Sequence, residues 1–106
     1  MKRKISCIGR AMTIGLLTAH LCMHGITSLK QKRSIVKSLT SRLKSRFNIS
    51  VAEVDHHDNK TSAVIGVAIV SNDARFIDQQ FEAIISFMAK DGRFYLGQVE
   101  RETFNS

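Results

Sequence analysis

Residues 48–73, NISVAEVDHHDNKTSAVIGVAIVSND, decide the fold. Asn48 to Asp55 is a short run rich in β-branched residues, bounded by the polar cluster His56-His57-Asp58-Asn59-Lys60. Ser62 to Ser71 is apolar at both sets of alternating positions. Two such runs joined by a short polar segment read as an antiparallel β-hairpin. Ser71, Asn72 and Asp73 follow at once, and all three are residue types that cap helices by accepting hydrogen bonds from free backbone N–H groups. A strand pair therefore stands in the middle of the chain and runs directly into a helix.

Outward from this centre the pattern repeats on each side. Toward the C-terminus, Ile77, Phe81, Ile84 and Met88 form one helical stripe, ended by Asp91-Gly92, and Arg93 to Arg101 (RFYLGQVER) reads as a last strand. Toward the N-terminus, Leu29, Val36, Leu39, Leu43 and Phe47, with Ile35 on the flank, make the apolar stripe of a helix about five turns long. Ser28 is its expected N-cap. Met12 to Met23 (MTIGLLTAHLCM) reads as the first strand, closed by a turn at His24-Gly25.

The order is βαββαβ. Two β-α-β units on one sheet, with right-handed crossovers, give an α+β ferredoxin-like sandwich: a four-stranded antiparallel sheet with two helices on one face. The first and third strands take the centre. Val64, Gly66, Ala68 and Val70, or their alternates, then point from the other face toward solvent. Large exposed apolar patches are unusual on monomers and two-fold pairs are the commonest oligomers, so a homodimer is expected to cover that face.

A chain of 106 residues, 43% hydrophobic and 24% charged, has the size and composition of one globular domain. The domain is expected over residues 12–104, with residues 1–11 as a flexible N-terminal extension. Cys7 and Cys22 form neither a CxxC pair nor a disulfide framework and read as free thiols in a reducing compartment. Met1-Lys2-Arg3-Lys4 resembles the start of an export signal, but Arg10 and His20 interrupt the apolar runs that would have to follow. No uncharged apolar stretch reaches the roughly 18 residues a membrane helix needs. The cytoplasm is the expected location.

The formal charge of +7 is unevenly spread. Residues 1–47 hold 11 Lys or Arg and no acid, whereas residues 48–106 hold 5 bases and 9 acids. Within the first helix, Lys30, Arg33, Lys37 and Lys44 fall within about 60° of one another on a helical wheel, on the flank of the apolar stripe. Lys32 and Arg46 stand near the helix ends and Arg42 on the other flank. Seven cations with no carboxylate in the helix cannot form intrahelical ion pairs. Clustered cations of this kind suit phosphates, because they raise the local potential and release counterions on binding. The competing use is a solvated face kept soluble by lysines. No aromatic is interleaved with the cations in sequence, so RNA contact through these residues would rest on backbone and shape.

Asp55, His56, His57 and Asp58 form the one cluster with metal-ligand or acid–base chemistry. Adjacent histidines at a strand end point in different directions, and further ligands from His20 or His24 are not forced close, so the tetrad reads as an exposed polar hairpin and no metal is assigned. Neither cysteine has a base nearby in sequence, and Ser71 is explained by capping. Gly15, Gly66 and Gly97 stand singly in strands without a phosphate-cradling pattern, as close packing or a bulge requires. No catalytic residue and no cofactor is expected.

Ser28-Leu29-Lys30-Gln31-Lys32-Arg33, then Asn48-Ile49-Ser50-Val51-Ala52-Glu53-Val54-Asp55, then Gly66-Val67-Ala68-Ile69-Val70-Ser71-Asn72-Asp73, together resemble the YlxP-like family, domain of unknown function 503. The resemblance runs from about Met12 to Arg101. It implies a ferredoxin-like bacterial domain, often encoded among translation factors beside ribosome-binding factor A, with a suspected role in ribosome assembly or RNA contact. Residues Met1 to Ala11 precede the family's usual start. The family's hairpin tip commonly carries a Leu-Trp-Gln-Arg-like run where this chain has Asn59-Lys60-Thr61-Ser62.

The resulting expectation is a non-enzymatic, RNA- or ribosome-binding accessory factor that uses Lys30, Lys32, Arg33, Lys37, Arg42, Lys44 and Arg46. The alternative is a dimeric regulatory or interaction module that binds a protein or small ligand across its sheet face. A metal-dependent enzyme built on the tetrad is a third and more remote class.

Overall fold

In the computed structural model, which describes residues 12–105, the elements are β1 (Thr13–Met23), α1 (Leu29–Arg46), β2 (Ser50–Asp55), β3 (Ser62–Ser71), α2 (Ala74–Ala89) and β4 (Phe94–Asn105). The expected extension at residues 1–11 lies outside the described residues. The sheet order is β2-β3-β1-β4 with every pairing antiparallel, so β1 and β3 are central, as the ferredoxin-like βαββαβ reading requires.

Local chemistry sets the helix starts. The Ser28 hydroxyl accepts from the Gln31 N–H at 3.1 Å, and the Gln31 side chain reaches back to accept from the Thr27 N–H at 3.0 Å. This reciprocal pair satisfies donors that the first turn of a helix leaves free. Asp73 caps α2 by accepting from the Arg75 N–H at 2.9 Å.

The core lies between the sheet and the two helices. Leu17, Ala19 and Leu21 of β1, and Ala63, Ile65, Val67 and Ile69 of β3, are buried against Val36, Leu39 and Leu43 of α1 and Ile77, Phe81, Ile84 and Met88 of α2. Successive strand residues point to opposite faces, so alternate residues serve the two sides of the sheet. Gly15 marks the closest approach of strand to helix, because a Cβ there would run into Ile77 and Phe81.

Two details depart from the sequence reading. β4 continues to Asn105, beyond the expected end at Arg101, because residues 102–105 pair with the start of β1 and the Thr13 hydroxyl donates to the Asn105 side-chain oxygen at 2.8 Å. On the outer sheet face Val64 is buried, in register between His20 and Asp55, whereas Val70 is exposed.

A candidate nucleic-acid interface on the first helix

Packing of the apolar stripe of α1 fixes where its cations go. With Val36, Leu39 and Leu43 buried against the sheet, Lys30, Arg33, Lys37 and Lys44 are all exposed along one flank. Of these four, among the described residues, only Arg33 has a carboxylate within ion-pair reach, Asp58 at 3.7 Å. Both of those side chains are more than half exposed, and such a pair contributes little. The first turn of α1 contains no acid, yet it carries Lys30 where the helix dipole is positive.

Lys32 corrects the sequence reading. Expected near the helix end as a phosphate contact, it is completely buried, with its ammonium bonded to Glu53 Oε2 at 2.5 Å and to the His56 carbonyl at 2.8 Å. The cause is its wheel position: residues 32, 36, 39 and 43 follow the 4-3-4 spacing of the buried stripe. Glu53 lies on the helix-facing side of β2, opposite the buried Ile65 of β3. Six of the seven proposed cations remain on the surface.

Arg42 and Arg46 occupy the other flank of α1, where they meet α2. The Arg46 guanidinium lies over the Phe87 ring, 4.8 Å from its centroid, and Phe47 packs edge-on against the same ring at 6.3 Å. These residues, with Lys90 and Asp91, border a cleft of about 660 Å³. Asp91 is already engaged: both its carboxylate oxygens bond the Arg93 guanidinium, at 2.9 and 2.6 Å. Those hydrogen bonds hold the Asp91 carboxyl below its usual range, against an opposing push from burial. Arg93 also donates to the Ser38 hydroxyl of α1 at 3.2 Å. Phe47 was read from the sequence only as part of the apolar stripe, and Phe87 and Lys90 were not picked out, because only the packing of α2 beside α1 brings those two to the arginines.

The Asp55-His56-His57-Asp58 segment forms a tied-down turn. His56 adopts a left-handed backbone conformation, with φ of 62°. Its N–H donates to the Asp55 carboxylate at 2.8 Å, and its carbonyl accepts from the Asn59 N–H and from Lys32. The His56 ring bonds the Ser62 hydroxyl at 2.7 Å and the His57 ring bonds the Glu53 carbonyl at 3.0 Å. Among the described residues no group of three or more His, Cys, Asp or Glu is placed to hold a metal ion. Cys22 is an exposed free thiol, and Cys7 lies outside the described residues. No helix among the described residues is long and apolar enough to cross a membrane.

The sheet face away from the helices has its own character. Val70, Ile14 and Phe104 stand in one row across β3, β1 and β4, with Ala68 and Leu16 in the next row. Val70, Phe104, Leu16 and the nearby Val54 are exposed.

The chain is similar to known proteins in sequence and in fold. The uncharacterised protein YlxP of Bacillus subtilis (strain 168) is 25% identical over 75 residues, which cover 71% of this chain and 82% of that protein. The de novo designed protein Foldit4 superposes with a TM-score of 0.54 at 18% identity, covering 90% of this chain and 98% of its own, which is a likeness of fold alone. The structural-genomics protein YJCS gives a TM-score of 0.49 at 10% identity, over 87% of this chain and 99% of that one. The family model described as protein of unknown function, DUF503, matches residues 14–101, and the chain therefore belongs to that family.

Proposed function

We propose that this protein is a non-enzymatic, RNA- or ribosome-binding accessory factor whose contact surface is α1. The observation that carries this reading is the exposed row Lys30, Arg33, Lys37 and Lys44, which has no firm acidic partner among the described residues. Helix stability accounts only for Lys44, in the last turn, since Lys30 works against the dipole at the first turn and the like charges of Arg33 and Lys37, four apart, repel. Solubility would be served as well by mixed charges. A row of cations along a straight rod suits the regularly spaced phosphates of a folded RNA, in which shape and backbone dominate. Gel-shift titration of a structured RNA over a salt series tests it. Arg33→Glu with Lys37→Glu should abolish binding while leaving the circular dichroism spectrum unchanged; unchanged affinity would remove α1 from consideration.

A second property rests on a different observation. The apolar row Val70, Ile14 and Phe104, in which Val70 and Phe104 are exposed and Ile14 half-buried, with the exposed Leu16 beside it, favours a homodimer formed through the open sheet face. That face lies opposite the helices, so pairing through it leaves α1 free to meet RNA.

A further inference from the structure

We propose that the cleft between the C-terminal part of α1 and α2 seats an unpaired nucleotide of RNA, its base stacked on the Arg46 guanidinium and its phosphates held by Arg42 and Lys90. This rests on the RNA-binding reading and adds a second, chemically different contact to it. The cleft, about 660 Å³, is within the usual range of small-ligand sites. Its one acid, Asp91, is bound on both oxygens by Arg93 and also feels the charge of Arg42, so against this single engaged carboxylate the cleft carries three cations, Arg42, Arg46 and Lys90.

Arg46 and Lys90 each end a helix, where a cation ordinarily offsets the negative end of the dipole. That use does not extend to Arg42, a full turn before Arg46, because the dipole effect fades within the last turn. Nor does it explain why Arg46 lies over an aromatic ring. The Arg46 guanidinium carbon lies 4.8 Å from the centroid of the Phe87 ring, Phe47 packs edge-on against that ring, and Arg46 is exposed. A planar cation fixed in this way is a stacking platform for a base, and only an unpaired base has a face to offer it. Among the described residues the first-flank row Lys30, Arg33, Lys37 and Lys44 has no such aromatic support, so the two flanks divide the work between phosphate contact and base stacking.

The test uses the full chain and three RNAs: a blunt hairpin, the same hairpin with a short unpaired 3′ overhang, and that overhang made abasic. The normal overhang should raise affinity about fivefold, the low end of what base stacking on a side chain supplies, and the abasic overhang should give little of that gain. Arg46→Lys keeps the charge and loses the plane. It should cancel the overhang's advantage and leave blunt-hairpin affinity unchanged, whereas the milder Arg33→Ala with Lys37→Ala should weaken both RNAs and keep their ratio. Equal binding of all three RNAs, or an overhang advantage that survives Arg46→Lys, overturns the cleft proposal alone. Equal loss on hairpin and overhang from Arg46→Lys also overturns it, since Arg46 would then be an ordinary phosphate contact. Absence of binding to any RNA by the unaltered protein at low salt overturns the RNA reading and this one with it.

Discussion

The Lys32 ammonium lies 2.5 Å from a Glu53 carboxylate oxygen and has no side-chain surface open to water. The same ammonium donates to the His56 carbonyl at 2.8 Å. One side chain of α1 thus holds both the edge strand β2 and the turn that follows it. The left-handed conformation of His56 is costly for a residue with a Cβ, and the bonds to Lys32, Asp55 and Asn59 hold it in place. A charge buried in this way is tolerable only because its acceptors are present.

Removing one member of this pair should therefore be severe. Lys32→Ala leaves a mostly buried carboxylate without its cation, and breaking a buried pair from one side typically costs about 3–5 kcal/mol. Replacing both partners, Lys32→Met with Glu53→Leu, should recover most of that loss, because matched apolar groups need no solvation. Urea unfolding of Lys32→Met, Glu53→Leu and the double variant measures the coupling. A cost below about 1 kcal/mol for Lys32→Ala, in the range of an exposed pair, would mean that the ammonium reaches water.

The position of Lys32 was legible in the sequence, because the spacing 32, 36, 39, 43 is that of the core stripe; its charge drew it into the phosphate row instead. The apolar stripe and the start of α1 read true, since Val36, Leu39 and Leu43 are buried and Ser28 caps the helix as periodicity and residue type require. The end of β4 was not legible: Glu100, Arg101 and Glu102 break the alternation that marks a strand, and Arg101 turns out to face α2, where it pairs with Asp78 and Glu82 at 3.5 and 2.9 Å. The Arg46–Phe87 contact joins residues 41 positions apart, which no local pattern reports.

Salt dependence follows from the number of exposed cations. Four phosphate contacts by Lys30, Arg33, Lys37 and Lys44 should make log affinity fall by about 3 for each tenfold rise in salt, from roughly 0.7 to 0.9 per contact. Neutralising two of them, as Arg33→Ala with Lys37→Ala, should lower that slope by about 1.5. Filter binding at several salt concentrations gives the slope. Lys32, being buried, should add nothing to it, so a Lys32→Met with Glu53→Leu protein that stays folded should keep the original slope.

The Asp91–Arg93 pair makes a prediction about acid. Hydrogen bonding to Arg93 depresses the Asp91 pKa in the folded protein, so its contribution to stability is fully present above the unfolded value, near 3.8, and is lost as pH falls through the folded value. Asp91→Asn keeps an oxygen to accept from the Arg93 N–H but cannot ionise. The stability gap between the original protein and this variant should be widest above about pH 5 and should close as the pH falls below 4. Denaturant midpoints from pH 7 down to pH 3 read that closure, and a gap that is constant across the range would exclude an ionised Asp91 as its source.

The open sheet face makes the last prediction. Val70 is 66% exposed and Phe104 43%, and both flank Ile14 in one row across three strands. Exposed apolar residues arranged contiguously need a cover more than the same residues scattered singly. In a two-fold pair each patch meets its own copy, so a lysine at Val70 introduces two charges into one interface for a single substitution. Val70→Lys should then convert a dimer to a monomer in light scattering at micromolar concentration. The folded monomer should keep its stability, because Val70 contributes nothing to the core on the helix side. It should also keep its affinity for a short RNA, since α1 lies on the opposite face of the sheet. Light scattering that gives a monomer for the unaltered protein across that concentration range would leave the row without a second copy, and RNA affinity that falls with Val70→Lys would place the contact on the sheet face.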